Sequence, residues 1–283
     1  IPFINRCSTV FMESKTLVKT SEEVYFLGYR VSVLNKQQLS SLIVKCIGDN
    51  CEGGCVTVAC LNPHSVVVAD RLPVFKKSLE DADWVVADGI GVSLGCSLQH
   101  GAYVRRITGW DLFIEVSRRL QSHQACKVFF LGSDKATLNQ MVRRFEMDFP
   151  SVNVVGWFAP PYADSFTGEV AERMVLEVNK VKPDVLWVGL TAPKQEIWIY
   201  ENKHNLDVKF VAGIGAVFDY YAGRTRRPCY LVRFIGMEWL YRLLMHPRKM
   251  WQRSFVSGPK FSRKLMMACF YKIFNRYLSQ NRS

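Results

Sequence analysis

The chain has 283 residues, 49% of them hydrophobic and 22% charged, with a formal net charge of +12 at pH 7. That length suits one large domain, or one domain with an extension, and the apolar content excludes a disordered chain. The stretch nearest to a membrane span, Cys55 to Ala69, is interrupted by Asn62, Pro63 and His64, so no run reaches the roughly 18–20 residues a spanning helix needs.

The first 21 residues have no clear period and read as a loose leader that does not begin with Met; no signal peptide is visible in them. Val24 to Leu34 reads as two short strands around Gly28, and Lys36 to Ile47 as a helix. Cys55 to Leu61 is a predicted strand, Pro73 to Ala82 a helix and Trp84 to Ala87 a strand. A helix over Thr108 to Gln121 precedes strand Lys127 to Leu131 and helix Asp134 to Asp148. Strand Val152 to Gly156, helix Gly168 to Lys180 and strand Asp184 to Val188 follow, then helix Pro193 to His204 and strand Val208 to Val211. Short, continuously apolar strands alternating with amphipathic helices predict an α/β, doubly wound, mostly parallel sheet of Rossmann-like type over residues 22–226.

Residues 227–283 differ from this body. They hold twelve Lys/Arg and a single acid, Glu238, together with eleven aromatics. The preceding residues carry 25 basic and 24 acidic side chains, so nearly all the net charge sits in this appendage. A neutral body with a basic, aromatic appendage points to an anionic surface, either a membrane or a nucleic acid. The nine cysteines, an odd number lying mostly in apolar segments such as Cys46, Cys60, Cys126 and Cys269, fit a reducing compartment. Cys51, Cys55 and His64 contain no CxxC pair and are not read as a zinc site.

In a doubly wound fold the ligand site lies at the carboxyl ends of the strands. There the sequence places Asn62-Pro63-His64, Asp88-Gly89-Ile90-Gly91, Gly132-Ser133-Asp134, Gly189 to Glu196, and Gly213-Ile214-Gly215-Ala216. Four glycine-bearing turns at one edge suit close backbone approach to a nucleotide or sugar nucleotide. Asp88, directly after a buried strand, is either a general base at the pocket mouth or the N-cap of the helix that follows. Two look-alikes are set aside. Gly89-x-Gly91 has Leu94 where a dinucleotide fingerprint needs its third glycine. Asp81-Ala82-Asp83 imitates a metal-binding DxD pair but precedes its strand, at the wrong edge.

The ordered motifs resemble the WecG/TagA/CpsF family of bacterial glycosyltransferases. They are Asn62-Pro63, Ala87 to Val92, Arg106-Ile107-Thr108-Gly109-x-Asp111, Val128 to Gly132, Val188-Gly189-Leu190-x-Ala192-Pro193-Lys194-Gln195-Glu196, Gly213-x-Gly215-Ala216-x-Phe218-Asp219, and Glu238 to Leu244. The resemblance implies an inverting, metal-independent transfer of a sugar from a UDP-sugar to a polyprenyl-diphosphate-linked sugar, with no cofactor. It places the family's catalytic acid on Asp88, which favours the base over the cap. Asn62, Thr108, Lys194 and Gln195 match pocket positions, and Arg106 is read either as a contact to the acceptor diphosphate or as the partner of a neighbouring carboxylate. Arg242, Arg248 and Arg253 match appendage cations that meet the leaving diphosphate. Asp111 and Asp219 are read as structural. Cys60 and Thr191 depart from the family pattern, so the sugar is left open among N-acetylmannosamine, its uronic acid, and a hexose or hexuronic acid.

Tyr230 to Met245 is too apolar for a free surface helix and is expected to dock. Met266, Cys269, Phe270, Ile273 and Tyr277 share one side of a later helix, opposite most of Lys260, Lys264, Lys272, Asn275 and Arg276, the pattern of an interfacial helix. A lipid-linked acceptor makes an anionic membrane the expected surface. The expected location is the cytoplasmic side of the bacterial plasma membrane, with no nucleic acid partner and a homo-oligomer left open. A non-catalytic sugar-nucleotide-binding adaptor is the alternative.

Overall fold

The computed structural model describes residues 23–48, 54–101, 103–122 and 125–280; the proposed leader and Cys51 lie outside them. A hairpin of β1 (Glu23–Phe26) and β2 (Tyr29–Ser32) comes first. Its two-residue turn, Leu27-Gly28, has positive φ at both positions, the combination that matches hairpin twist. Six strands then form one parallel sheet: β3 (Val56–Leu61), β4 (Trp84–Ala87), β5 (Lys127–Gly132), β6 (Asn153–Phe158), β7 (Val185–Gly189) and β8 (Phe210–Gly213). Their spatial order is β4-β3-β8-β7-β5-β6. The predicted α/β doubly wound architecture is the observed one.

Both faces of this sheet are covered, which is why its strands read as unbroken apolar runs. Alternate residues serve opposite layers. Val128 and Phe130 of β5 join the layer of α1 (Lys36–Gly48), α5 (Gly109–Leu120) and α6 (Lys135–Asp148). Phe129 and Leu131 face the layer of α7 (Gly168–Asn179) and α8 (Lys194–Asn202). A third cluster joins β3 and β4 to α2 (Pro63–Ala69), α3 (Pro73–Glu80), α4 (Ile90–His100) and the hairpin residue Phe26. Helix α2 interrupts what reads as loop, because its apolar positions follow directly on the Asn62-Pro63 turn, whereas α4 is the helix expected after Asp88.

After α9 (Val217–Tyr221) the basic segment is helical: α10 (Tyr230–Phe234), α11 (Glu238–Met245), α12 (Pro247–Trp251), a π-helical stretch Gln252–Ser257, and α13 (Gly258–Gln280). Tyr230 to Met245 is therefore two helices broken at Gly236, where φ is +77. The last helix docks back on the body. Phe261 is buried beside Phe26 with ring centroids 6.2 Å apart, and Lys264 pairs with Asp70. Gly91 and Gly95 of α4 permit the approach, since a Cβ at either would meet Phe261, or Phe26 and Leu265. The exposed apolar stripe of α13 holds Met266, Met267, Phe270, Tyr271 and Phe274. Cys269, expected in that stripe, is half-buried, and the side chains of Ile273, Asn275 and Tyr277 lie outside the described residues. Among the described residues no helix is long and apolar enough to cross a membrane.

Candidate active site

Asp88 begins the turn after β4. Its N–H donates to Leu61 O at 2.8 Å, and the N–H of Ile107 donates to Ala87 O at 3.0 Å. These bonds seat Arg106 beside the β4 end. Gly89 then turns the chain at φ +107 and occupies the N-cap of α4, with no side-chain capping bond. Asp88 is thus not a cap, and its carboxyl is left for other work. Burial pushes it up to about 6, opposed by Arg242 and Arg106 and assisted by Glu238 and Asp111. A carboxylate held there is ionised at neutral pH yet basic enough to accept a proton.

The appendage supplies charge around this carboxyl. Glu238, the only acid of that segment, is buried and accepts from Arg242 Nη2 at 2.6 Å. The Arg242 guanidinium lies 5.2 Å above the centroid of Tyr220. Arg253 is held below its ordinary value by burial and by Arg242, while Asp88 and Glu196 act the other way. His64 Nδ1 lies 2.8 Å from Ser257 Oγ, fastening the π-helical stretch to α2; burial and then Arg253 hold this imidazole down to about 4. Arg248 is different. It is exposed on α12 and does not join the charges that act on Asp88, because its helix turns it outward.

Other expected pocket residues have structural occupations. Asn62 caps α2, its Oδ1 accepting from Ser65 N at 3.0 Å, which leaves its amide nitrogen for a ligand. Thr108 and Asp111 form a reciprocal capping box at the start of α5, with Thr108 Oγ1 donating to Asp111 Oδ2 at 2.6 Å. The Thr108 hydroxyl is therefore spent on helix capping, as the structural reading of Asp111 requires. Lys194 Nζ donates to Ala163 O at 2.6 Å and lies 5.1 Å above the centroid of Tyr162. It holds the β6–α7 loop instead of projecting into an open pocket. Asp83 accepts from Thr57 N and Oγ1 at the amino edge of the sheet, so the DxD look-alike is structural.

Gln195 is buried against the β8 turn, where a Cβ on Gly213 would come within 2.7 Å of its Cδ. Its Nε2 donates to Glu196 Oε1 at 2.8 Å, while Gln195 Oε1 and Glu196 Oε2 are buried with no hydrogen-bond partner among the described residues. Burial pushes the Glu196 carboxyl up to about 7, against its bond from Gln195. Glu196, Glu238, Arg227 and Arg233 all border the site, and none was singled out from sequence as a site residue. The isolation of Glu238 as the one acid among twelve cations was a usable signal. Among the described residues no group of three or more His, Cys, Asp and Glu side chains is placed to hold a metal ion.

The model of the glycosyl transferase WecG/TagA/CpsF family matches residues 24–274, which takes in the sheet, the Asp88 turn and most of the appendage. The chain belongs to this family. It is a glycosyltransferase. Among similar proteins is the N-acetylglucosaminyldiphosphoundecaprenol N-acetyl-beta-D-mannosaminyltransferase of Bacillus spizizenii, 31% identical over 204 residues, covering 71% of this chain and 74% of that one. The protein of the same name from Bacillus subtilis is 26% identical over 208 residues, 72% and 77% of the two chains. That from Staphylococcus aureus is 28% identical over 185 residues, 65% and 70%.

Proposed function

We propose that this family member transfers a sugar, with inversion and without a metal, from a UDP-sugar to a polyprenyl-diphosphate-linked sugar in cell-surface polysaccharide synthesis. The relatives' names favour N-acetylmannosamine as the sugar moved and N-acetylglucosaminyl diphosphate on a polyprenol as the acceptor. The observation that carries the reading is a half-buried carboxyl at a strand end, Asp88, acted on by arginines from both body and appendage.

Asp88 takes the proton of the acceptor hydroxyl as its oxygen attacks the anomeric carbon. The new carbon–oxygen bond forms on the face opposite UDP, and the bond to UDP breaks with its electron pair leaving on the diphosphate. Cations already held in a partly dry site stabilise that charge without reorganisation; Arg242 and Arg253 fill this role. Asn62 Nδ2 and Gln195 Oε1 orient the donor. The exposed aromatics and cations of the appendage hold the enzyme on the anionic cytoplasmic leaflet where its acceptor resides.

A panel of UDP-sugars assayed with a synthetic N-acetylglucosaminyl diphosphate lipid tests the reading. Transfer from UDP-N-acetylmannosamine, lost on Asp88→Ala with folding and UDP binding retained, is the expected result. Unchanged turnover of Asp88→Ala would sink the mechanism.

A further inference from the structure

Two guanidinium groups at the root of the appendage carry buried donors that no protein group satisfies. Among the described residues, Arg227 Nε and Nη1 and Arg233 Nε are buried with no hydrogen-bond partner. Arg227 lies over the ring of Trp110, its Cζ 4.3 Å from the centroid. Burial holds it below its ordinary value, Arg233 and Arg242 push the same way, and Glu238 and Asp111 oppose them. Those two carboxylates are already engaged, Glu238 with Arg242 and Asp111 with Thr108. Buried cations ordinarily have their donors met. Arg233 is tied to the loop at the β4 end, where Arg106 Nη2 donates to Arg233 O at 2.9 Å, and Arg233 in turn acts electrostatically on Arg227. The chemistry that satisfies guanidinium donors left unpartnered in this way is an oxyanion group such as a phosphate.

A second feature distinguishes which of the two diphosphates in the reaction belongs here. Helix α4 contains no Asp, Glu, Lys or Arg. It exposes Ile90, Leu94 and Leu98 at 44%, 54% and 60%, four residues apart and so in one stripe. Gly236, at the end of the helix that bears Arg233, sits on Ile90 so closely that a Cβ there would come within 2.8 Å of Ile90 Cδ1. The stripe therefore begins two residues from Asp88, at the foot of the Arg233 helix, and runs about 12 Å along the α4 axis. A UDP-sugar has no group that uses such a surface. An isoprenoid diphosphate uses both features.

We propose that Arg227 and Arg233 bind the diphosphate of the acceptor while its isoprenoid chain lies along Ile90, Leu94 and Leu98. This rests on the transferase reading above, but its test does not require the sugar to be known. Binding of farnesyl diphosphate, inorganic pyrophosphate and UDP to the full chain is measured by calorimetry. Farnesyl diphosphate is expected to bind more tightly than pyrophosphate. Arg233→Gln and Arg227→Gln should each weaken both by ~10-fold or more, with UDP affinity nearly unchanged, and Arg227→Lys should retain part of the binding. Leu94→Ser with Leu98→Ser should bring farnesyl diphosphate down to the affinity of pyrophosphate and leave pyrophosphate unaffected. Arg227 stacks on Trp110, so if Arg227→Gln lowers the thermal midpoint, binding by Arg233→Gln decides the matter. Unchanged farnesyl diphosphate binding in Arg233→Gln, or a parallel loss of UDP binding, overturns the assignment. So does unchanged farnesyl diphosphate binding in the Leu94, Leu98 double variant. Failure of every UDP-sugar as donor, with these binding changes intact, would refute the transferase substrate and leave the subsite standing.

Discussion

Arg106 of the body and Arg233 of the appendage are joined by a hydrogen bond of 2.9 Å, from the guanidinium of one to the backbone carbonyl of the other. Neighbouring backbone bonds tie the Arg106 loop to the end of β4. The position of the appendage helix and the surroundings of Asp88 are therefore mechanically linked, and a change at either reaches the other.

The first consequence concerns pH. Asp88 is pushed up to about 6 and works as a base only when ionised, so kcat/KM should rise with pH through about 6 and level off above it. Asp88→Asn should lose about 100-fold or more in rate and the remaining activity should lack that rise. A pH–rate profile of the two proteins checks both points.

Stability should run in the opposite direction. Glu196 is raised from 4.5 to about 7 in the folded chain, so the folded state binds this proton more tightly than the unfolded one. Its contribution is fully favourable below about pH 4 and declines as pH rises to about 7. Glu196→Gln should flatten that decline and raise the thermal midpoint at pH 8 relative to the parent, while keeping the bond to Gln195. Melts at pH 5 and pH 8 would show a falling difference for the parent and a smaller one for the variant.

Glu238 neutralises a guanidinium buried in the site. Glu238→Gln should cost about 1–3 kcal/mol of stability by leaving Arg242 without its charged partner. It should also lower turnover through the altered charge beside Asp88. Denaturant midpoints and steady-state rates on one preparation separate the two effects.

The hold of α13 on the body depends on Phe261. Phe261→Ala should remove about 3 kcal/mol from that contact, freeing the end of the appendage before the sheet unfolds. Hydrogen exchange should accelerate in residues 258–272 while β3, β5 and β7 keep their protection.

The outward stripe of α13 is expected to meet lipid. Replacing Met266, Phe270 and Phe274 by Ser should leave the thermal midpoint within about 1 °C, because surface changes contribute little to stability. Flotation with anionic liposomes should fall several-fold. Flotation equal to the parent's would count against the membrane role of this face.

Much of this was legible along the chain. Apolar strands of a parallel sheet carry a local signature, and turn residues such as Asp88-Gly89 and Asn62-Pro63 follow each strand at a fixed place. The sequence by itself therefore determined the doubly wound fold, the position of Asp88 at the end of a strand and the charge of the appendage. Side-chain assignments made from those positions fared differently. Thr108 caps a helix, Lys194 ties down a loop and Arg248 points outward, while Arg227, Arg233 and Glu196 border the site unannounced. Such facts depend on which partner each side chain meets, from 3 residues away for Thr108 and 31 for Lys194 to 127 between Arg106 and Arg233, and on how much water each loses there. Periodicity reports one element at a time; burial, pairing and a raised carboxyl pKa arise only where elements distant in the chain pack together. Only the tertiary structure could decide them.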